Sequence, residues 1–319
     1  MGQLVDGVWQ TETLAVRSKD GRFVRADTQF RDRITADGAS GFKAEKGRYH
    51  LYISLACPWA HRTLIYRHLK GLEDAISLSV VDPFMGNQGW TFGDSEGCIA
   101  DPLFGANHMY EIYTQARGDY SGRVTVPVLW DRERATIVNN ESAEIIRMFN
   151  SEFASFAPET PDYCPDELLG EIDEVNERVY NDINNGVYRN GFASTQQAYE
   201  EAFDQLFAAL DWVEERLRTR RYLCGAQLSE ADWRLFPTLL RFDPVYFGHF
   251  KCNLRRIEDY PCLSNYLREL YQIPGIAELC NFRHIKEHYY RSHESINPTR
   301  IVPRGPEINL HQAHDRDRL

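Results

Sequence analysis

Long apolar runs, closely paired cysteines and an excess of positive charge are all missing from this chain of 319 residues. The strongest apolar stretches, Leu51-Tyr52-Ile53 and Ile76 to Val81, are a few residues each, far short of the roughly 20 that a bilayer span requires. Basic residues number 36 against 47 acidic, a formal charge of −11, and that sign repels phosphate backbones and anionic lipid unless the cations cluster. Neither nucleic acid nor membrane is an expected partner. The seven cysteines, at 57, 98, 164, 224, 252, 262 and 280, include no C-x-x-C pair, which argues against a disulfide framework. No basic start followed by an apolar run opens the sequence, and Asp6 breaks a myristoylation pattern, so a soluble, cytoplasmic protein is expected. The composition, 43% hydrophobic and 26% charged, excludes collagen, coiled coil and wholesale disorder, and the length suits about two domains.

What is present changes texture along the chain. Residues 1–46 have no sustained period and read as an extended N-terminal arm lying on the surface. From Tyr49 a β-rich run to Ser54 is followed by a helical pattern from Pro58 to Lys70 and a second strand from Ile76, a strand, helix, strand unit. Residues 83–122, rich in glycine and aromatics, look like an insert; loops of this length are usually functional or mobile. Val126 to Trp130 and Thr136 to Val138 read as a hairpin, closed by a helix from Glu141 to Asn150. That order is thioredoxin-like, and it gives a first domain over 47–152. Residues 153–165 read as a linker. Beyond it the period turns to 3.6. Leu168, Leu169, Ile172, Val175, Val179 and Ile183 make one apolar stripe, and Phe203, Leu206, Phe207, Leu210, Val213 and Leu217 another, as in bundle helices that bury one face. Ser229 to Asp232 reads as a capping box, and a further helix through Leu263, Tyr266, Leu267 and Leu270 must end before Pro274. The expected all-α domain covers 166–300, with 301–319 as a tail.

The chemistry concentrates at Cys57. It follows a strand and precedes Pro58 at the first helical position, which makes it the helix N-cap. Free N–H groups and the positive end of the macrodipole stabilise a thiolate there, and the thiolate is the nucleophile. The same placement also suits a cysteine that merely caps a helix. With Ala60 where a second cysteine would stand, no intramolecular disulfide can form, and the site must work through a mixed disulfide with an external thiol, of which glutathione is the abundant one.

The segment Tyr49 to Leu64, centred on Cys57-Pro58-Trp59-Ala60, closely resembles the active-site segment of the glutathionyl-hydroquinone reductases, the Xi class of glutathione transferases. Asn139-Asn140-Glu141-Ser142, Asn184 to Tyr188, Arg241 to Tyr246, His288-Tyr289-Tyr290 and Ile296-Asn297-Pro298 resemble that family too, in order, from about residue 45 to 306. The resemblance implies a thioredoxin-like domain followed by an all-helical transferase-type domain, with the active site in the cleft between them, and a homodimer. It implies a cis Val126-Pro127 bond that presents the Val126 backbone to glutathione. Glu141 and Ser142, at a helix start, would bind the γ-glutamyl group, although residues of this kind are also ordinary in a first helical turn. Trp90 would pack on glutathione and Arg123 would pair with a carboxylate. Tyr188, Tyr246 and Tyr289 would bind the hydroquinone, with Tyr188 and Tyr289 catalytic beside Cys57, and Tyr290 is the alternative to Tyr289. Glutathione is then a co-substrate, and neither metal nor nicotinamide is required.

Other readings stay open at this point. An omega-like thioltransferase or dehydroascorbate reductase would use Cys57 without the three tyrosines. A non-catalytic glutathione-binding scaffold would not need Cys57 at all. His284-Ile285-Lys286-Glu287-His288 matches the H-x-x-E-H pattern of inverzincin peptidases, although a solvated helix face produces the same pattern by chance. Asn140-Glu141-Ser142 matches a glycosylation acceptor, which carries no meaning without secretion.

Overall fold

The computed structural model describes residues 2–11, 18–156 and 159–319; positions 12–17 of the expected arm and 157–158 of the expected linker lie outside them. The described residues form two compact units. The first draws on Met1–Leu14, Ala26–Pro161 and Asn281–Ser292, the second on Ala15–Arg25, Asp162–Cys280 and His293–Leu319. Two stretches thus depart from a simple succession of arm, first domain and helical domain: residues 18–25 group with the helices, and Asn281–Ser292 with the sheet.

In the first unit a short hairpin, β1 (Gln3–Val5) and β2 (Val8–Gln10), precedes β3 (Tyr49–Ile53), α1 (Pro58–Leu69), β4 (Ile76–Val80), α2 (Met109–Ala116), β5 (Val128–Asp131), β6 (Thr136–Asn139) and α3 (Ser142–Ser151). The main sheet has the order β4-β3-β5-β6. β3 runs parallel to β4, with Tyr49 opposite Ile76 and Ile53 opposite Val80, and antiparallel to β5. Every residue of β3 is buried, as a strand covered on both faces must be. This is the thioredoxin-like order that the hydrophobic pattern predicts.

The arm is not a surface ornament. Leu4 exchanges both backbone hydrogen bonds with Gly122, and Asp32 N–H donates to Val138 O at 3.0 Å, so residues 30–32 cover the outer edge of β6 and leave it no free ladder there. Leu4, Phe30, Ile34 and Phe42 are all buried. Their irregular spacing explains the missing period, because each is a separate anchor and not part of a helix or strand face. The insert also contains regular structure, since α2 buries Met109, Ile112 and Tyr113, three apolar positions at helical spacing.

The second unit contains α4 (Leu169–Arg178), a π-turn over Val179–Asn184, α5 (Gly186–Phe192), α6 (Gln196–Leu217), α7 (Glu230–Arg241), a second π-turn over Phe242–Tyr246, the single turn α8 (Phe247–His249) and α9 (Pro261–Tyr271); α10 (Phe282–Ser292) returns the chain to the first unit. α6 buries Leu206, Phe207, Leu210, Val213 and Leu217, and each such side chain contributes about 1.5–3 kcal/mol. The capping box before α7 is present. The Asp232 carboxylate accepts the Ser229 N–H at 2.8 Å, the Ser229 hydroxyl at 2.8 Å, the Leu223 N–H at 2.9 Å and the Tyr266 hydroxyl at 2.7 Å. Burial nevertheless holds its pKa above the ordinary carboxylate value. The expected tail is docked as well: Arg316 is fully buried, its guanidinium donates to the Leu217 carbonyl at 3.2 Å, and it pairs with Glu269 at 3.3 Å. A cation at the last carbonyls of α6 is where the helix dipole favours one. Sequence pattern could not reveal this contact, because a single arginine makes it.

Candidate active site

Cys57 is the N-cap of α1, extended in backbone (φ −77°, ψ 122°), with Pro58 following inside the first turn. Its carbonyl accepts the His61 N–H at 3.0 Å, the first bond of the helix. The thiol is half-buried and donates to the Val126 carbonyl at 3.5 Å. The Val126-Pro127 peptide is cis, as the family resemblance implies. One side of the site is therefore a sulfur at the positive end of a twelve-residue helix, facing the backbone of the residue before a cis proline.

The second side is the start of α3. Glu141 caps this helix, its carboxylate accepting the Ala143 N–H at 3.1 Å. Ser142, buried, places its hydroxyl 3.5 Å from that carboxylate. The approach to the helix is held by two asparagines. Asn139 Oδ1 accepts the Glu141 N–H at 2.7 Å, and Asn140 donates to the Tyr113 hydroxyl at 3.1 Å while accepting the Phe30 N–H at 3.2 Å. The arm and the insert thus hold the Asn-Asn-Glu-Ser segment in place. Arg62, to which the sequence reading assigned no role, is buried with its guanidinium 4.6 Å over the Trp59 ring and Nη1 3.5 Å from Ser142 Oγ. It lies on the turn of α1 after Cys57, and the one available signal was a charged residue within a helix face otherwise carrying Ala60, Leu64 and Ile65.

Trp90 lies in the insert, buried, with its indole stacked on His288 at 4.7 Å and 22°. Arg123 is half-exposed, and its carbonyl accepts the Tyr120 hydroxyl at 3.0 Å. Tyr289 is buried on α10 with its ring 5.2 Å from that of His288, whereas Tyr290 is half-exposed. In the second unit Tyr188, on α5, and the fully buried Tyr246, at the end of the second π-turn, have ring centroids 6.2 Å apart. Tyr246 stacks on Phe250 at 5.4 Å, and the Arg25 guanidinium lies 5.0 Å over the Tyr188 ring. A π-turn precedes one tyrosine and carries the other; such single-turn bulges recur at functional sites.

The two imidazoles of the H-x-x-E-H segment both bond backbone carbonyls: His284 Nε2–H donates to Glu96 O at 2.7 Å and His288 Nδ1–H to Pro83 O at 2.9 Å. Glu287 turns instead to Arg283 and Arg291 on its own helix, at 3.7 and 3.5 Å. Among the described residues no group of three or more His, Cys, Asp or Glu is placed to hold a metal ion, and no helix is long and apolar enough to cross a membrane.

Comparison with known proteins draws these features together. The glutathione S-transferase N-terminal domain family matches residues 56–152, and the glutathione S-transferase C-terminal domain family matches 196–269. The chain is 54% identical over 324 aligned residues to the glutathionyl-hydroquinone reductase YqjG of Escherichia coli (strain K12), covering 99% of each. It is 54% identical to the glutathionyl-hydroquinone reductase PcpF of Sphingobium chlorophenolicum, covering 96% of each. Among solved structures, glutathione-bound YqjG matches with a TM-score of 0.92 at 53% identity, over 99% of both chains. A Xi class transferase from Natrialba magadii matches with a TM-score of 0.94 at 49% identity, over 100% of this chain and 97% of that one.

Proposed function

The chain belongs to the glutathionyl-hydroquinone reductases, the Xi class of the glutathione transferases, and on that premise we propose that it removes glutathione from glutathionyl-hydroquinones, giving hydroquinone and oxidised glutathione. The observation that carries the reading is the solitary Cys57 capping α1, with Ala60 one turn on. A lone thiol at a helix N-terminus is a nucleophile without a resolving partner, so its covalent product must be discharged by a second thiol from solution.

The steps balance without an external oxidant or reductant. Cys57 thiolate attacks the sulfur of the conjugate. The S–C(aryl) bond breaks, its electron pair goes to the ring carbon, and that carbon takes a proton, releasing hydroquinone and leaving Cys57 disulfide-bonded to glutathione. The thiolate of a second glutathione attacks this disulfide, forming oxidised glutathione and regenerating the Cys57 thiolate. The ring is reduced by two electrons and the two glutathione sulfurs supply them, so neither metal nor nicotinamide enters the scheme.

In this reading the Val126 backbone beside Pro127 pairs with the cysteinyl part of glutathione. Glu141 holds the γ-glutamyl ammonium, and Ser142 with the first N–H groups of α3 takes its carboxylate. Trp90 packs on the tripeptide and Arg123 pairs with a carboxylate. Tyr188, Tyr246 and Tyr289 hydrogen-bond the hydroquinone hydroxyls, and Tyr188 or Tyr289 is the natural proton source for the ring carbon. The protein works in the cytoplasm as a homodimer.

The test is product analysis with glutathione and a glutathionyl-hydroquinone, run beside Cys57→Ala. The parent enzyme should release free hydroquinone and oxidised glutathione, with a glutathione adduct on Cys57 visible by mass spectrometry. Cys57→Ala should lose the adduct and at least about a thousandfold in turnover. Equal turnover by Cys57→Ala would remove Cys57 as the nucleophile, and a parent protein that releases no hydroquinone would return the chain to the omega-like or scaffold reading.

A further inference from the structure

We propose that His288 is a positioning residue that holds Trp90 in place for glutathione, and that α10 acts as a latch on the insert. The proposal deepens the reading above, since it rests on Trp90 packing against glutathione.

The latch is one face of one helix. His284, His288 and Ser292 recur every four residues and so line up along α10. His284 Nε2–H donates to the Glu96 carbonyl at 2.7 Å, and Arg283 reinforces that point with a bond to the same carbonyl at 3.1 Å and to the Glu96 carboxylate at 3.0 Å. His288 Nδ1–H donates to the Pro83 carbonyl at 2.9 Å. Ser292 Oγ accepts the Met85 N–H at 2.9 Å. The helix therefore fastens both limbs of the insert, 83–85 and 96, and Trp90 lies in the loop between them.

His288 both bonds the insert backbone and presents a ring to Trp90. The hydrogen bond to Pro83 fixes the protonated nitrogen as Nδ1, because a carbonyl can only accept. With the ring so oriented, its face meets the indole at 4.7 Å and 22°, and both side chains are buried. The Trp90 carbonyl is tied separately, accepting the Met109 N–H at 2.9 Å, so the backbone of Trp90 is held by the start of α2 and its ring by α10. A binding group that is fixed before the ligand arrives does not lose rotamer freedom on binding. The sequence motif that mimics a zinc site thus has a physical use that involves no metal: two imidazoles, one turn apart, each donating to a loop carbonyl.

The experiment is a double-mutant cycle on glutathione affinity with hydrogen exchange of residues 83–96 followed in the same full-length proteins. His288→Ala should weaken glutathione binding roughly three- to tenfold, the range of an aromatic pair, and should speed exchange in the insert. In a Trp90→Ala background the His288 substitution should have almost no further effect on affinity, and His288→Phe, which keeps a flat ring, should restore most of the affinity lost in His288→Ala. Additive losses in the cycle would overturn the proposal, as would unchanged exchange in His288→Ala. If Trp90→Ala alone leaves glutathione affinity untouched, the assignment of Trp90 to glutathione falls, while the exchange data still decide whether α10 latches the insert. Should His288→Ala fail to fold, His288→Asn and His288→Phe complete the same cycle, one keeping the donor and the other the ring.

Discussion

Ala60 stands where a second cysteine would turn Cys57 into a dithiol centre, and in the proposed mechanism that single methyl group leaves external thiols to discharge Cys57. The N-cap position of Cys57 is legible from its neighbours, a strand before it and Pro58 after it, whereas its role as nucleophile rests on the proposed mechanism. The tyrosines were not legible in this way, since 17 are present and no spacing separates a substrate-binding phenol from a core one; only resemblance singled out Tyr188, Tyr246 and Tyr289. Their chemistry gives a discriminating test. Replacing each by Phe should lower turnover of glutathionyl-hydroquinone roughly ten- to hundredfold, the loss of one phenolic hydrogen bond to a reacting ring. Thioltransferase activity toward a small mixed disulfide should be unaffected. An omega-like enzyme would show neither loss. The contacts of Arg62 and His288 are not legible for another reason, because their partners, Ser142 Oγ and the Trp90 indole, lie 80 residues away and in the insert, respectively.

Among the elements, the expected bounds of β3, α1, β4 and α3 fall within one residue of the observed ones, whereas the stripe that marks α6 begins at Phe203 and the helix itself at Gln196. The stripe from Leu168 to Ile183 was read as one helix, whereas the structure breaks it into α4 and a π-turn over Val179–Asn184. One extra residue per turn preserves the burial of Val179 and Ile183, so the hydrophobic pattern is blind to it. The following helix, α5, carries a glycine with a definite task. A Cβ on Gly191 would lie 2.1 Å from Phe250 Cδ1, and Phe250 is the ring on which Tyr246 stacks and beside which Tyr188 packs at 5.5 Å. Gly191→Ala should therefore displace Phe250 and cost about 1–3 kcal/mol by overpacking, read as a lower urea midpoint. Turnover of glutathionyl-hydroquinone should fall with it, while Cys57 still reacts with a small disulfide.

For the whole molecule, two buried titrating groups set opposite pH slopes. Burial, with a further push from Arg132, brings His50 down to about 4, against roughly 6.5 in an unfolded chain. Between those values the unfolded chain binds a proton that the folded one refuses. Stability from this source is complete above about pH 6.5 and falls by about 3 kcal/mol as the pH drops to 4. Burial raises Asp243 to about 6, so in its window the folded chain holds the extra proton and stability falls as the pH rises from about 4 to 6. The two groups act in opposite directions below pH 6, and Asp232, also raised by burial, acts with Asp243. His50→Gln should remove the rising contribution, so that between pH 4 and 6.5 the urea midpoint of the variant rises less, or falls more, than that of the parent.

The return of α10 to the first unit also orders events in time. The Pro83 carbonyl waits for His288, 205 residues further along the chain. At roughly 5–20 residues per second of protein synthesis, the interval is roughly 10–40 s, during which the insert has emerged and its latch has not. Trp90 spends that interval without the ring it stacks on, as an indole open to chaperones and to other nascent chains. The helix cap at Cys57, the proposed nucleophile, is assembled early from neighbouring sequence, whereas the surface proposed to recognise glutathione is finished only when translation reaches the last α-helix.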